Sequence, residues 1–361
     1  MSLHPRPDGE DPMEFLVRVL TDATASVTGL TVSLGDRLGL YRAMAAAGPL
    51  TSADLAARTG TEERHVREWL HSQVTAGYVR LDRPEAGPEV YELPAAHAAV
   101  LADDDSPYAG IGIFGALQAL YRMEDRLLES FRGGTGVGWG DYPPEMFQAI
   151  GRFFRPGYQA NVVEHWLPGL HDNAKRLTEG GSVADIGCGV GHSTLLMAEA
   201  YPAAGFHGLD SHDASIDVAR ETARARGLGD RVRFSVSGAG DLAGPDSPYD
   251  LITFFDCLHD MGDPLTALRS ARRSLSDRGS VMLVEPRTSA DPEANADPVG
   301  RLFLAVSPVL CLPAAMAQDG GHALGNHPGE EALRSLAHEA GFPNWRRVAE
   351  SPVNAVYELL P

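Results

Sequence analysis

An α/β domain on a mostly parallel sheet, preceded by a smaller and mainly helical domain, is the fold class this 361-residue sequence predicts. Two observations carry that expectation. From Ser182 onward short apolar runs alternate with helical stretches, the pattern of strands whose crossovers cover both faces of a parallel sheet. Within the alternation, Asp185-Ile186-Gly187-Cys188-Gly189-Val190-Gly191 reads as strand end, glycine turn and helix start. Glycines there let the backbone approach a ligand where a Cβ would clash.

Taken in order, residues 1–12 read as a disordered tail. Residues 13–132 form a helical domain, 133–170 a connector with pocket-lining helices, and 171–361 the α/β domain. From Glu14 to Ala47 the pattern is helical, with Phe15, Leu16, Val19 and Leu20 on one face, until Gly48-Pro49 stops it. Thr51 to Asp54 resembles a capping box, and a short helix runs to Gly60. Thr61 is the expected cap of the next helix, whose buried stripe is Val66, Trp69, Leu70 and Val74. Tyr78–Leu81 and Val90–Leu93 read as a hairpin. Helix, helix, helix, hairpin is a winged-helix pattern. Between Thr51 and Arg83 five arginines (58, 64, 67, 80, 83) face five acids, so docking or dimerisation fits this module better than DNA. Residues 95–131 read as helical, and Gly133 to Pro144 is a connector carrying Trp139 and Tyr142. Phe147 to Leu170 reads as one or two helices.

In the α/β domain the expected strands are Ser182 to Asp185, Phe206–Asp210, Arg231–Val236, Tyr249–Phe255 and Ser280–Pro286. Helices are expected at His192–Ala200, Ser215–Arg226 and Leu265–Leu275. A late helix around Leu333 to Ala340 closes at Gly341, and Arg346–Ala349 with Asn354–Leu360 suggest a final strand pair. Ligands of such sheets sit beyond the carboxyl ends of the strands. Asp210, 25 residues after Asp185, can accept both ribose hydroxyl protons of an adenosine group there. Ser237-Gly238-Ala239-Gly240-Asp241 ends the third strand, where an adenine edge could be read by backbone groups or by Asp241. Asp291 to Gly329 forms a long pocket insert carrying Met316, Gln318, His322 and His327.

Composition bounds the partners. The net charge of −19 opposes binding to nucleic-acid phosphate. Three scattered cysteines argue for a reducing compartment and against a disulfide framework. The first residues lack a signal-peptide core, and no uninterrupted apolar run reaches the length of a membrane span. The expected setting is the cytoplasm.

The glycine spacing is not that of a dinucleotide fingerprint, whose sixth place would fall on His192. G-x-G-x-G after an acidic residue instead resembles the first motif of class I S-adenosylmethionine (SAM) methyltransferases. Further on, Phe255-Asp256-Cys257-Leu258-His259-Asp260 and Val284-Glu285-Pro286 resemble plant-type and bacterial small-molecule O-methyltransferases with an N-terminal winged helix. Gly35-Asp36-Arg37-Leu38-Gly39-Leu40-Tyr41, Arg67-Glu68-Trp69-Leu70 and Phe154-Arg155-Pro156-Gly157-Tyr158 extend the likeness over most of the chain.

The resemblance implies a Rossmann-like domain with a seven-stranded sheet, SAM as cofactor, and a homodimer formed through the winged helix. It implies SAM contacts at Asp185, Gly187, Gly189, Gly191, Asp210, Ser237, Gly238, Ala239, Asp256 and Tyr158. His259 matches the family's general base and Glu285 its positioning carboxylate. A further family carboxylate position is occupied by His327, with Glu330 and Glu331 nearby. Trp139, Phe154, Met316, Gln318 and His327 are the expected contacts to a flat small-molecule acceptor. Neutral imidazole suits proton removal near pH 7, and SAM already carries an activated methyl, so positioning and dehydration complete the chemistry. No resident metal is expected, because no acid/amide pair follows Asp256 to complete an oxygen cage. N- or C-methylation, a SAM-dependent cyclisation without methyl transfer, and a SAM-sensing winged-helix regulator stand as alternatives.

Overall fold

The structure, a computed structural model, describes residues 11–242 and 248–361. Most of the expected tail lies outside these residues, but Asp11 and Pro12 do not behave as tail. Asp11 accepts from the Met13 amide (3.0 Å) and caps a helix that begins at Pro12.

The chain divides into two compact units, Met1–Tyr121 with Gln148–Pro156, and Arg122–Phe147 with Gly157–Pro361. The division differs from the expected boundary near residue 132. Helix Glu124–Gly133 belongs to the second unit, whereas the middle of helix Pro144–Asn161 belongs to the first. Gly112 explains part of this: a Cβ on it would sit 2.8 Å from the Phe153 amide nitrogen. Arg152 adds ion pairs to Asp36 (2.5 Å) and Asp104 (2.6 Å).

In the first unit the expected helix from Glu14 to Ala47 is two helices, Pro12–Arg37 and Leu40–Ala45. Gly39, at φ 71°, closes the first in the left-handed turn that favours glycine. Gly35 lets that helix approach Trp69, since a Cβ would lie 2.5 Å from its ring. Trp69 Nε1 in turn donates to Thr31 O (2.8 Å). The Thr51–Asp54 capping box is present at the start of helix Ser52–Thr59. Thr61 does not cap: its hydroxyl pairs with that of Thr59 (2.8 Å), and Glu62 is the cap residue of helix Glu63–Thr75. Strands β1 (Arg80–Asp82) and β2 (Val90–Glu92) form the antiparallel wing. Arg64, Arg67, Arg80 and Arg83 are engaged by Glu68, Glu63, Glu92 and Glu89. The stretch 95–131 is interrupted, with helices at Ala95–Leu101, Gly112–Tyr121 and Glu124–Gly133.

The second unit holds a seven-stranded sheet. Its strands are β3 (Ser182–Ile186), β4 (Gly205–Asp210), β5 (Val232–Val236), β6 (Tyr249–Phe255), β7 (Leu275–Pro286), β8 (Asn344–Glu350) and β9 (Asn354–Leu360). The order is β5-β4-β3-β6-β7-β9-β8, parallel except for antiparallel β9. The chain order reverses beside β3, which creates the crevice where such sheets bind ligands. Ala184, Ile186, Ile252, Phe254, Val281 and Leu283 are buried within the sheet, as expected where helices cover both faces. Asp263 caps helix Pro264–Ser274 by accepting from Thr266 N (2.8 Å). The insert forms helices Pro298–Val306 and Cys311–Met316. Two stretches, Pro12–Arg37 and Pro298–Met316, are long and apolar enough to cross a membrane by length and composition; the second is half buried in its own domain.

Candidate active site

The glycine turn is shaped by its backbone. Gly187, Gly189 and Gly191 have φ of 68°, 52° and 81°, values that cost other residues free energy. At Gly187 a Cβ would lie 2.7 Å from Cys257 Sγ, and at Gly191 2.8 Å from Phe234. At Gly189 nothing lies within 4 Å, so that face of the turn is open. The Gly189 amide donates to Asp210 Oδ2 (2.8 Å) and the His212 amide to Oδ1 (2.8 Å). Asp210 thus stands against the turn at the end of β4. Burial pushes its carboxyl pKa upward while these amides pull it back. Beside it the Ser237 amide donates to Asp210 O (2.9 Å), bringing Ser237, Gly238 and Ala239 to the same edge.

Asp185 departs from expectation. Its carboxylate is fully buried and accepts from Ser193 (2.7 Å), Thr194 (2.5 Å) and Thr253 (2.7 Å). It ties the turn to the following helix and to β6, and is a support beneath the glycine turn. Tyr158 and Asp256 likewise serve each other. Tyr158 OH donates to Asp256 Oδ2 (2.7 Å) and Asn354 Nδ2 to Oδ1 (2.7 Å). Asp256 holds a positive φ of 49°. Burial, with the charge of Glu285, raises its pKa to about 8.

After β6 the turn Leu258–Asp260 presents His259, 3% exposed. Glu285, on β7, accepts from Leu258 N (3.1 Å) and lies 2.5 Å from His259 Nδ1. The outer ring nitrogen, Nε2, lies 3.2 Å from Asp260 Oδ1. Burial alone would lower the His259 pKa, but the Asp260 and Glu285 carboxylates hold it well above its ordinary value.

The expected acceptor contacts separate. Trp139 packs on Tyr142 and Phe147, with ring centroids at 6.1 and 5.6 Å, and Phe147 packs at a tilt on His212 at 4.3 Å. Trp139 is therefore linked through Phe147 to the Asp210 strand end. Phe154 lies in the first unit, edge-on to Phe153. Met316 is 39% exposed at the end of its helix. Gln318 is committed to the protein: its amide donates to Asp260 O (2.7 Å) and Ala314 O (3.0 Å) and accepts from Gly262 N (3.3 Å). It braces the Leu258–Gly262 loop against the insert. His327 is half-buried before helix Gly329–Glu339, and among the described residues no hydrogen bond or ion pair joins it to His259. Sequence reasoning missed Ser193, Thr194, Thr253, Asn354 and Cys311, none of which has a motif of its own.

A methyltransferase-domain family model matches residues 177–324, and an Rv2258c-like winged helix-turn-helix model matches residues 26–103. The ubiquinone/menaquinone biosynthesis C-methyltransferase UbiE of Idiomarina loihiensis is 30% identical over 187 residues, 48% of this chain and 74% of that protein. The 27-O-demethylrifamycin SV methyltransferase of Amycolatopsis mediterranei is 27% identical over 224 residues, 60% of this chain and 80% of that protein. In fold the chain is similar to human N-acetylserotonin methyltransferase, solved with SAM (TM-score 0.69, 18% identity, 98% of this chain and 99% of that one). The chain belongs to the SAM-dependent methyltransferases, with a Rossmann-like catalytic domain behind a winged helix. Its cofactor is SAM, and the open Gly189 face with Asp210 beside it fits the adenosyl group.

Proposed function

We propose that this enzyme transfers the SAM methyl group to an oxygen of a small aromatic or polyketide-like metabolite, with His259 as general base. The observation that carries this reading is the buried His259–Glu285 pair at the carboxyl edge of the sheet, with Nδ1 held at 2.5 Å. Glu285 orients the ring so that Nε2 takes the acceptor proton. Gly187–Gly191 would hold SAM, with Asp210 placed to receive its ribose and Ser237, Gly238 and Ala239 its adenine. Asp185, Asp256 and Tyr158 brace that pocket from beneath. A sulfonium bound close to His259 would favour its neutral form. Trp139, Met316 and His327 are acceptor-side residues of the catalytic unit.

A second reading, methyl transfer to carbon, is favoured by the UbiE relative, whose name specifies a C-methyltransferase. An ionised enol would then need no base, and His259 would position it. Both readings are tested by identifying the methylated atom in the product by NMR and by His259→Ala. For the base, turnover falls by about 10²–10⁴-fold while calorimetric SAM affinity is kept; near-wild-type turnover removes the base role.

The working form is a homodimer in a reducing, cytoplasmic setting. Met13, Phe15, Leu16, Val17, Val19 and Leu20 are 45–62% exposed on helix Pro12–Arg37, a stripe that a second copy would cover. Leu20→Glu is expected to shift light-scattering mass toward the monomer; an unchanged dimer moves the interface elsewhere.

A further inference from the structure

We propose that His259, Asp260 and Cys311 form a binding site for a zinc-type divalent cation. One ligand atom of each, His259 ring nitrogen, Asp260 carboxylate oxygen and Cys311 sulfur, lies within 4.8 Å of the others. His259 Nε2 and Asp260 Oδ1 are 3.2 Å apart. Yet Oδ1 is buried and has no hydrogen-bond partner among the described residues. The two atoms are close enough to pair as ions, yet no hydrogen bond joins them, so both can face a common third atom. In a tetrahedral zinc site, bonds of about 2.0–2.2 Å to nitrogen and oxygen give an edge of about 3.3–3.5 Å, close to the separation seen.

The surroundings fit the same reading. Glu285 holds the other ring nitrogen, the carboxylate–imidazole arrangement that orients metal-binding histidines. Imidazole, carboxylate and thiolate together suit Zn²⁺ or Co²⁺, whereas Mg²⁺ and Ca²⁺ select oxygen cages. His259 and Asp260 are adjacent on one turn, and Cys311 opens helix Cys311–Met316. Gln318 joins the two by donating to Asp260 O and Ala314 O, so the ligands are held by the fold. Binding releases the Cys311 thiol proton, and any proton on Nε2, to solvent, and consumes nothing else. Three protein ligands leave a fourth position for water.

The consequence for turnover rests on His259 being the base. A cation on Nε2 occupies the lone pair that would accept the acceptor's proton, so zinc and proton transfer exclude each other. Zinc is then a reversible inhibitor acting at the base.

The full-length protein, cleared with a chelator, is titrated with Co²⁺ and Zn²⁺. The expected result is one equivalent bound, with a thiolate-to-cobalt charge-transfer absorption that Cys311→Ser abolishes while weakening Zn²⁺ at least tenfold. No band in the wild type overturns the site, as does a wild-type band in Cys311→Ser, which would point to Cys188 or Cys257. Should Cys311→Ser not fold, Asp260→Asn keeps all cysteines, and unchanged Zn²⁺ affinity in it overturns the site. S-adenosylhomocysteine release is followed in parallel. Activity after chelation that falls as zinc is added supports the site and the base together. Turnover only in metal-loaded protein keeps the site and removes the base reading. Turnover without any metal binding removes the site alone.

Discussion

The two halves of the crevice are built on opposite principles. At the proposed cofactor end, around β3, β4 and β5, the site is built from backbone: three glycines in left-handed turns and amides aimed at Asp210. The one fully buried carboxylate there, Asp185, is saturated by three hydroxyls. At the proposed base end, after β6 and β7, Asp256, His259, Asp260 and Glu285 are packed together with too few neutralising partners. A stiff backbone cradle suits a ligand that never changes. A cluster of coupled titratable groups suits proton movement, and it weakens the fold that carries it.

Breaking the stiff end has the largest expected effect. Asp185→Ala leaves three buried hydroxyls without their acceptor, at about 1–3 kcal/mol for each unsatisfied group before relaxation. We expect about 3 kcal/mol of lost stability in urea unfolding, with SAM affinity reduced as the turn loosens. A change below about 1 kcal/mol would mean that water replaces the carboxylate.

The base end should respond with the opposite sign. Burial raises the folded Asp256 pKa to about 8, far above the ordinary carboxylate range. A raised folded pKa means stability is fully present below the unfolded value and is lost as pH rises toward the folded one. Asp256→Asn, neutral in both states, removes that slope. It should stabilise the protein at pH 7 by on the order of 2 kcal/mol, with the gain vanishing below about pH 4. A variant less stable than wild type at pH 7 would show that the carboxylate is ionised and useful in the folded protein.

Asp210→Ala sharpens the cofactor side. Losing hydrogen bonds to a charged acceptor is worth about 1.5–3 kcal/mol, so calorimetric SAM affinity should fall by at least tenfold with modest loss of stability. Glu285→Gln probes the base side through pH. Because the Glu285 charge helps hold the His259 pKa up, the rising limb of kcat/KM should move to lower pH in the variant. An unmoved limb would assign it to another group.

The same contrast decided what could be read from the sequence. Glycines at fixed spacing, the alternation of strands and helices, and Asp210 one strand later are local signals, and the structure brings the glycine turn and Asp210 together. The proposed base was legible because Leu258-His259-Asp260 is contiguous. Its surroundings were not. Cys311 lies 52 positions from His259 and Asn354 lies 98 from Asp256, and only the folded insert and the antiparallel β9 bring them in. Gln318 looked like an acceptor contact because its insert borders the ligand edge, yet backbone groups of the Asp260–Gly262 loop use its amide. The break at Gly39 was visible as a glycine, but helical periodicity on either side of it hid the turn.

Tyr158→Phe gives the smallest effect and tests where the two ends meet. The ring packs edge-on to Trp166 at 6.1 Å and against Phe255 at 5.1 Å, and Phe preserves both contacts. What is lost is the hydroxyl's donation to Asp256, about 1 kcal/mol of stability for a buried bond whose acceptor keeps a second donor in Asn354. That donation pulls the Asp256 pKa down, so removing it should push the Asp256 titration, followed by NMR, to still higher pH. SAM affinity should stay within about twofold, since the hydroxyl is spent on Asp256 and a tenfold change corresponds to about 1.4 kcal/mol. A loss beyond tenfold, with the Asp256 titration unmoved, would return Tyr158 to the cofactor side of the comparison as a direct contact.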